Sequence, residues 1–234
     1  MNMYDSCGII IQARTGSSRL PNKVLKKIND KYILQYVFDK AKTTKHKNIK
    51  IIIATSDLPQ DNPIHQFCIN NNILSFRGSE QNVLQRYLLA AEYFNLKHIV
   101  RLTADNIFTD IDEMDKLIDI HISENYDYSY TINLPIGLNS EIFSIKTLQK
   151  TFNLAYKHDH FEHVNEYILQ NPSQFNIYIL NAPPEKNYPN IRLTIDTIDD
   201  FNKASFIIKH STNSNNISTQ QVIKLALQYE QLNK

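Results

Sequence analysis

The chain has 234 residues, 42% of them apolar, so it can bury a substantial core. Its 25 basic and 24 acidic residues leave a formal net charge of +1, which excludes the global positive field that holds proteins on nucleic acids or anionic membranes. The longest apolar runs are too short to cross a bilayer, and the two cysteines form no disulfide framework. With no signal-peptide stretch at the start, we expect a cytoplasmic protein with no nucleic-acid or membrane partner.

Short apolar runs alternate with amphipathic stretches through the first half of the chain. The runs predicted as strands are residues 8–13, 49–55, 73–76 and 98–102. Apolar periodicity predicts helices over residues 33–42 and 83–94, and a third helix begins at Asp110, which is a good N-cap. This alternation predicts an α/β fold with a doubly wound, mainly parallel sheet.

The regular alternation breaks down at about residue 126. Strand-like segments at residues 126–132, 141–145 and 175–180 and helical patterns at residues 146–156 and 161–169 follow. We interpret residues 126–190, approximately, as a mixed α/β insertion that covers an acceptor site or mediates dimer contacts. Residues 191–197 are a further candidate strand, and Ser218 with Gln221 predicts the cap of a closing helix. With no repeat or interdomain linker, we favour a single domain over residues 1–234.

The most informative motif follows the first predicted strand. Three cations stand in residues 12–23, with a glycine and two serines between them; these residues are Arg14, Gly16, Ser17, Ser18, Arg19 and Lys23. Backbone N–H groups, two guanidiniums and an ammonium at the end of a strand match a polyphosphate. The loop is not a Walker A motif, because no Gly-Lys-Ser/Thr closes it, and the four glycines of the chain are too widely spaced for a dinucleotide fingerprint. Solvated surface cations are the alternative interpretation.

Two further apolar segments lead into an aspartate, Asp105 after residues 100–102 and Asp196 after residues 191–195. In open α/β sheets, ligands bind beyond the carboxyl ends of the strands, and paired carboxylates there hold Mg²⁺ against phosphate oxygens. The residues alone leave this magnesium site and ordinary turn or helix-cap roles equally open.

Polar residues also follow the second and third predicted strands, where they are candidates for base and ribose contacts or for helix caps. These residues are Thr55, Ser56, Asp57, Arg77 and Gly78. His158, His160 and His163 cluster in the sequence, but their spacing and the lack of nearby cysteines do not favour zinc.

Eight blocks of this chain, in order, resemble the cytidylyltransferases that activate acidic sugars. The spore-coat polysaccharide branch comes first, and the acylneuraminate and 3-deoxy-manno-octulosonate enzymes are more distant. The blocks are residues 10–25 (IIQARTGSSRLPNKVL), 54–57 (ATSD), 76–80 (FRGSE), 83–87 (VLQRY), 100–105 (VRLTAD), 137–144 (GLNSEIFS), 162–164 (EHV) and 192–197 (RLTIDT). Together they cover nearly the whole chain and are far more specific than any one block.

The resemblance implies a Rossmann-like nucleotidyltransferase fold with a CTP donor, a Mg²⁺ cofactor, a sugar acceptor and a possible homodimer. It implies catalytic roles for Arg14, Arg19 and Lys23. The nucleotide-binding residues that it implies are Ala13, Arg14, Gly16, Ser17, Ser18, Arg19, Lys23, Thr55, Ser56, Asp57, Arg77 and Gly78. The implied metal ligands are Asp105 and Asp196, and the implied acceptor residues are Asn139, Glu141 and His163.

The chain departs from the family pattern near the metal and the acceptor. Relatives usually carry Gly-Asp-Cys/Ser-Pro at residues 104–107, which read ADNI here, and Asp-Gly-Leu-Asp at residues 136–139, which read IGLN here. We expect transfer of CMP to an acidic nonulosonate-type sugar for a surface glycan. A sugar-phosphate or polyol-phosphate acceptor stays open, although residues 132–141 hold no cation to bind it. A nucleotide-binding protein without turnover also stays open.

Overall fold

The computed structural model describes residues 3–213 and 216–233. The strands are β1 (Cys7–Gln12), β2 (Lys27–Ile28), β3 (Lys31–Tyr32), β4 (Lys50–Ser56), β5 (Leu74–Gly78), β6 (His98–Thr103), β7 (Tyr128–Ile132), β8 (Glu141–Ser144) and β9 (Ile177–Asn181). The α-helices are α1 (Ile33–Ala41), α2 (Asn62–Asn70), α3 (Val83–Tyr93), α4 (Ile111–Ser123), α5 (Ile145–Leu154), α6 (His158–Glu162), α7 (Glu166–Gln170), α8 (Ile198–His210) and α9 (Thr219–Leu232). Within the described residues, none of these helices has the length and apolarity needed to span a membrane.

One large sheet organises the described part of the chain. Its seven strands lie in the order β5-β4-β1-β6-β8-β7-β9. Strands β5, β4, β1 and β6 run parallel, β8 is antiparallel to both of its neighbours, and β9 is parallel to β7. The predicted α/β class with a mainly parallel sheet is confirmed, and the segment predicted as an insertion contributes β7, β8 and β9 to this sheet.

Apolar side chains pack on both faces of the sheet. In β1, Ile9 and Ile11 belong to the core beneath α1, α2, α4, α8 and α9, whereas Ile10 belongs to the core beneath α3, α5 and α7. Successive strand residues face opposite sides, so a strand covered on both faces has a continuous apolar run. This packing explains why β1 and β4 were recognisable from the sequence.

Five of the described helices, α3, α4, α5, α8 and α9, begin at residues whose side chains cap them. Asn82 accepts a hydrogen bond from the backbone N–H of Gln85 at the start of α3, and Asp110 accepts one from Glu113 at the start of α4. Ser218 caps α9, as predicted, by accepting from the backbone of Gln221. The predicted helix over residues 161–169 is wrong in its extent, because α6 and α7 are separated by a break at residues 163–165.

The predicted strand at residues 191–197 is wrong. Ile191, Leu193 and Ile195 are buried in alternation, but the segment makes only an isolated bridge between Ile136 and Arg192. Alternating burial reports a covered face, and it does not require a ladder of hydrogen bonds with a neighbour. Gly137 allows the close approach of the two segments, since it has a φ of +99° and an added Cβ would lie 2.6 Å from the backbone nitrogen of Thr194.

Candidate active site

The loop after β1 is fixed by buried side chains and presents its cations outwards. The anchors are Ala13, Thr15, Leu20 and Val24. Between them, 45% of the Arg14 side chain and 63% of the Arg19 side chain are exposed. Asn22 adopts a left-handed conformation, with a φ of 55°, and turns the chain into a short 3₁₀ helix that begins at Lys23. The loop therefore stands as a defined cationic rim at the carboxyl end of β1.

Asp61 holds this loop against the end of β4. The backbone N–H and the hydroxyl of Thr15 both donate to Oδ1 of Asp61 at 2.7 Å, and the Ser56 hydroxyl donates to Oδ2. Burial by itself would raise the pKa of Asp61, but the hydrogen bonds from Ser56 and Thr15 outweigh it and lower the pKa. Asp61 is not recognisable as a site residue from the sequence, because an aspartate just before a helix looks like an ordinary cap.

Lys23 joins two aspartates that are distant in the sequence. Its Nζ donates to Oδ2 of Asp105 at 2.5 Å and to Oδ1 of Asp196 at 2.8 Å. The hydroxyl of Thr103 donates to the other oxygen of Asp105 at 2.6 Å, and the backbone N–H of Ile195 donates to the Asp105 carbonyl at 3.1 Å. The two aspartate segments are thus bonded directly, and both carboxylates converge on one cation.

Further cations surround Asp196. Arg19 lies 3.3 Å from its Oδ2, and Arg192 donates to the same oxygen. Burial alone would raise the pKa of Asp196, but Lys23, Arg19 and Arg192 outweigh it and lower the pKa. Asp200 accepts from the backbone N–H of Asp196 at 3.0 Å, which fixes the position of that carboxylate. The Thr197-x-x-Asp200 spacing was the signal that would have found Asp200, since it is a capping box.

These groups line one cleft of about 380 Å³ at the carboxyl ends of β1 and β6. Its lining includes nine of the predicted site residues: Ala13, Arg14, Gly16, Ser17, Ser18, Arg19, Lys23, Asp105 and Asp196. Arg86 lines the cleft as well, although the sequence analysis gave it no role. Loop cations and two carboxylates that line the same cleft form a site for a phosphate chain with a cation.

The sequence matches the cytidylyltransferase family over residues 8–233. The chain belongs to this family. It is 32% identical over 220 residues to the spore coat polysaccharide biosynthesis protein SpsF of Bacillus subtilis, covering 92% of each chain. It is 41% identical over 201 residues to an uncharacterised protein of Methanocaldococcus jannaschii, covering 86% of this chain and 82% of that protein.

A solved structure supports the same assignment. The structure of a cytidylyltransferase from Leptospira borgpetersenii has a TM-score of 0.88 to this chain at 28% identity, covering 97% of this chain and 96% of that one. The resemblance drawn from the eight sequence blocks is therefore confirmed. The nucleotidyltransferase fold of the cytidylyltransferases is confirmed with it.

The residues that the family resemblance assigns to base and ribose do not line the cleft. Thr55 and Ser56 are buried, and Asp57 donates its backbone N–H to the Gly78 carbonyl. The Arg77 guanidinium donates to the carbonyls of Ser56 and Leu58 and to the side chain of Asn62. In this cytidylyltransferase these groups brace the ends of β4 and β5, and their contact with a nucleotide stays a prediction.

The predicted acceptor residues differ in their surroundings. Glu141 is bonded to Arg101 and Tyr128, each at 2.7 Å, so both of its oxygens have partners. Asn139 accepts from the Thr131 hydroxyl at 3.2 Å, and His163 is exposed. The neighbour of His163, Glu162, reaches the loop instead and lies 3.7 Å from Arg14. The acceptor roles of these three residues stay predictions.

Asp105 and Asp196 fit a divalent cation that also binds phosphate. The Lys23 ammonium shows the geometry, since one positive charge contacts an oxygen of each carboxylate at the same point. Throughout residues 3–213 and 216–233, no group of three or more His, Cys, Asp or Glu side chains forms an all-protein metal site. Mg²⁺ typically takes one or two carboxylates and completes its shell with water and substrate phosphate. The donor set of this cytidylyltransferase is suited to that arrangement.

Proposed function

We propose that this protein transfers CMP from CTP to a hydroxyl of an acidic nonulosonate-type sugar, with Mg²⁺ as cofactor, in the synthesis of a surface glycan. The observation that carries the proposal is the convergence of Asp105 and Asp196 on Lys23 of the cationic loop, in one cleft. Membership of the cytidylyltransferase family supports CTP as the donor. The name of the related SpsF protein supports a role in polysaccharide biosynthesis.

In the proposed reaction, the acceptor oxygen forms a bond to the α-phosphorus. The bond from that phosphorus to the oxygen bridging to the β-phosphate breaks, pyrophosphate leaves, and the hydroxyl proton passes to water. Negative charge grows on the pyrophosphate side, where Arg14, Arg19 and Lys23 meet it, so catalysis is mostly positioning and electrostatic stabilisation. Asp105 and Asp196 would hold Mg²⁺, which when bound polarises phosphate oxygens as a Lewis acid.

The environment on the acceptor side favours an acceptor without a phosphate. Residues 132–141 carry no lysine or arginine, and the nearby Arg101 is already bonded to Glu141. A phosphorylated acceptor would need free cations around its phosphate group. The homodimer expected from the family resemblance stays a prediction, and a measurement of mass in solution tests it.

Nucleotide selectivity is the first test. The melting temperature is measured with CTP, UTP, GTP or ATP in the presence of Mg²⁺. A ligand at a hundredfold excess over its Kd stabilises a protein by about 2.7 kcal/mol, so a preference for CTP will be visible. Equal stabilisation by all four nucleotides would contradict the assignment of the donor.

Pyrophosphate release with a panel of acceptors is the second test. We expect release from CTP with acidic nonulosonate sugars and none with sugar phosphates or polyol phosphates. Release with a phosphorylated acceptor alone would replace the proposed acceptor class. Tight CTP binding with no release on any acceptor would indicate a nucleotide-binding protein without turnover.

A further inference from the structure

Arg86 is a buried arginine on the wall of the cleft. It lies in the second turn of α3 with 1% of its surface exposed, and it is among the largest fully buried side chains of the described residues. Its neighbours along the cleft wall include Ala13, Arg14 and Gly16 of the cationic loop. The sequence block that contains Arg86 contributed to the family resemblance, but it pointed to no role for this side chain.

Among the described residues, none of the hydrogen bonds of Arg86 is made to a negatively charged group. Nη1 donates to the carbonyl of Ser79 and, at 3.5 Å, to that of Glu80. Nε is buried and has no hydrogen-bond partner. In the described part of the chain, no carboxylate lies within 4.0 Å of this guanidinium. Neutral carbonyls accept its hydrogen bonds, and the carboxylates of Asp61 and Glu80 act on its charge only from beyond ion-pair distance.

Two other largely buried cations of this protein, Arg101 and Lys186, form ion pairs with carboxylates. The Arg101 guanidinium donates to Glu141 at 2.7 Å and to the Gln12 side chain at 3.2 Å. Lys186 lies within 3.1 Å of both Asp110 and Glu113. An unpaired buried charge is costly, and such charges in proteins are paired or bind ligands. Arg86 is therefore an exception, and a bound anion would supply the ion pair that it lacks.

The position of Arg86 on its helix strengthens the argument. Its guanidinium returns to residues 79 and 80, next to the N-terminus of α3. A helix N-terminus carries partial positive charge, so it disfavours a cation and favours an anion. Burial has the largest effect on the pKa of Arg86 and lowers it; Arg14 acts in the same direction, whereas Tyr87, Asp61 and Glu80 act in the opposite direction without reversing it. A negative ligand in the cleft would offset the effects of burial, of Arg14 and of the helix N-terminus.

We propose that Arg86 is a phosphate-binding residue of this cleft, and that its unpartnered Nε–H donates to a phosphate oxygen of the bound nucleotide. The inference rests on the proposed function. Arginine binds phosphate through two parallel N–H groups, which gives charge and direction together. Phosphate is favoured over the neutral base as the ligand, because only phosphate supplies the missing negative charge.

The test compares the binding of pyrophosphate, CTP and cytidine by calorimetry to the wild-type protein and to Arg86→Met. Charge-assisted hydrogen bonds of this kind change affinity by about 10- to 100-fold. We expect that loss for pyrophosphate and CTP and an unchanged affinity for cytidine. Arg86→Lys, which keeps the charge but lacks the Nε–H, will fall between the two proteins, and it serves in place of Arg86→Met should that variant not fold.

Stability without ligand gives a second readout. If Arg86 binds an anion only when ligand is present, Arg86→Met melts at the same or a higher temperature than wild type, because a buried charge without an ion pair is removed. Arg101→Met is the matched control, and it will melt lower because it strands Glu141. A lower melting temperature for Arg86→Met with unchanged pyrophosphate affinity would assign the residue a structural role and overturn the proposal.

The outcomes separate this inference from the proposed function. If wild type binds CTP and pyrophosphate and Arg86→Met binds both equally well, only the Arg86 inference fails. If the variant loses cytidine as strongly as CTP, Arg86 contacts the nucleoside, and the inference again fails. A wild-type protein that binds neither CTP nor pyrophosphate overturns the proposed function and the inference with it.

Discussion

Lys23 faces two competing sets of partners in the proposed reaction. In the structure its ammonium lies between Asp105 and Asp196, with only 12% of the side chain exposed. A bound triphosphate with Mg²⁺ would present phosphate oxygens to Lys23 and a divalent cation to the aspartates. The side chain therefore neutralises two carboxylates when the site is empty and would donate to phosphate when the nucleotide is bound. Each role can be tested by its own measurement.

Lys23→Ala will lose turnover while it retains the fold. Removing one donor from a phosphate-transfer site costs on the order of 3 kcal/mol of transition-state stabilisation, or about a hundredfold in rate. Steady-state pyrophosphate release from CTP measures the loss, and circular dichroism checks the fold. Lys27→Ala is the control, since Lys27 is an exposed lysine just beyond the loop. Near-normal CMP transfer by the folded Lys23→Ala variant would remove Lys23 from catalysis.

Lys23→Met will bind Mg²⁺ more tightly than wild type when no nucleotide is present. The ammonium of wild type competes with the metal for Asp105 and Asp196, and the methionine side chain carries no charge. Like charges about 4 Å apart near a protein surface repel by several kcal/mol, so we expect a gain of about tenfold or more. Calorimetric titration with MgCl₂ measures it. Equal or weaker metal binding by the variant would show that the carboxylates do not form the metal site.

At the scale of elements, a buried charge cluster joins three parts of the chain. Lys186, from the loop that follows β9, donates to Asp110 at 3.1 Å and to Glu113 at 3.0 Å. Thr219, at the start of α9, donates to the other oxygen of Asp110 at 2.6 Å. Asp110 is also the cap of α4. One carboxylate therefore fixes the starts of α4 and α9 and the loop that follows β9.

Lys186→Met will destabilise the fold strongly. It leaves Asp110 and Glu113 buried without their cation, and breaking a buried pair in this way typically costs about 3–5 kcal/mol. The free energy of unfolding from urea titration measures the cost. Lys116→Met is the matched control, because Lys116 also lies 2.9 Å from Glu113 but is 55% exposed, so its loss will cost about 1 kcal/mol or less. Similar costs for both variants would contradict the role given to burial.

The elements that the sequence predicted well are those with a local cause. Strands β1 and β4 ended within about a residue or two of the prediction because both faces are apolar, and α3 and α4 began at capping residues that lie next to them in sequence. The strand predicted at residues 191–197 was wrong because the alternating apolar pattern there reflects packing against the core, and the segment makes only an isolated bridge with another segment. Helix α8 was not predicted, although its capping box was present in the sequence.

The candidate site divides in the same way. The loop from Ala13 to Lys23 is contiguous, so its composition revealed it, and each aspartate stood at the end of an apolar segment. Arg86 and Asp61 could not be found, because their meaning depends on which remote groups bury them. The bonds of Glu141 to Arg101 and Tyr128 were likewise invisible in the sequence, and its contact with an acceptor stays a prediction.

At the scale of the whole molecule, a near-neutral chain concentrates its functional charge in one place. The net charge of +1 gives no long-range field, yet loop cations and two aspartates meet in a single cleft. The rest of the described fold also contains titratable groups that no cation or anion compensates. The clearest are two histidines between α4 and the sheet, and they act on the stability of the entire fold.

His121 is fully buried on α4, with its ring centroid 5.3 Å from that of His98 on β6. Its Nδ1 shares a hydrogen bond with the Ser129 hydroxyl at 2.8 Å, while its Nε2 is buried without a partner. Burial, and to a lesser extent His98, lowers the pKa of His121 to about 3. Burial, and to a lesser extent Lys97, also lowers the pKa of His98. The His121 ring is therefore neutral in the folded protein at mildly acidic pH.

Stability will consequently fall as the pH drops below about 6.5, the value of an unfolded histidine. Between that pH and about 3, the unfolded chain binds a proton at position 121 that the folded protein does not bind, so the free energy of unfolding rises with pH. One such group contributes about 1.4 kcal/mol between pH 5.5 and 7.5. The aspartates with lowered pKa, such as Asp61, act in a separate window near and below pH 4.

His121→Gln will weaken this pH dependence. Glutamine keeps a polar partner for Ser129 and does not titrate, so the change in unfolding free energy between pH 7.5 and 5.5 will shrink by about 1.4 kcal/mol relative to wild type. Urea titrations at the two pH values measure it. His158→Gln is the control, because its side chain is 74% exposed and its removal will leave the change as in wild type. Parallel pH profiles for wild type and His121→Gln would contradict this prediction. They would mean that His121 takes up its proton in the folded protein, although it is fully buried between α4 and the sheet.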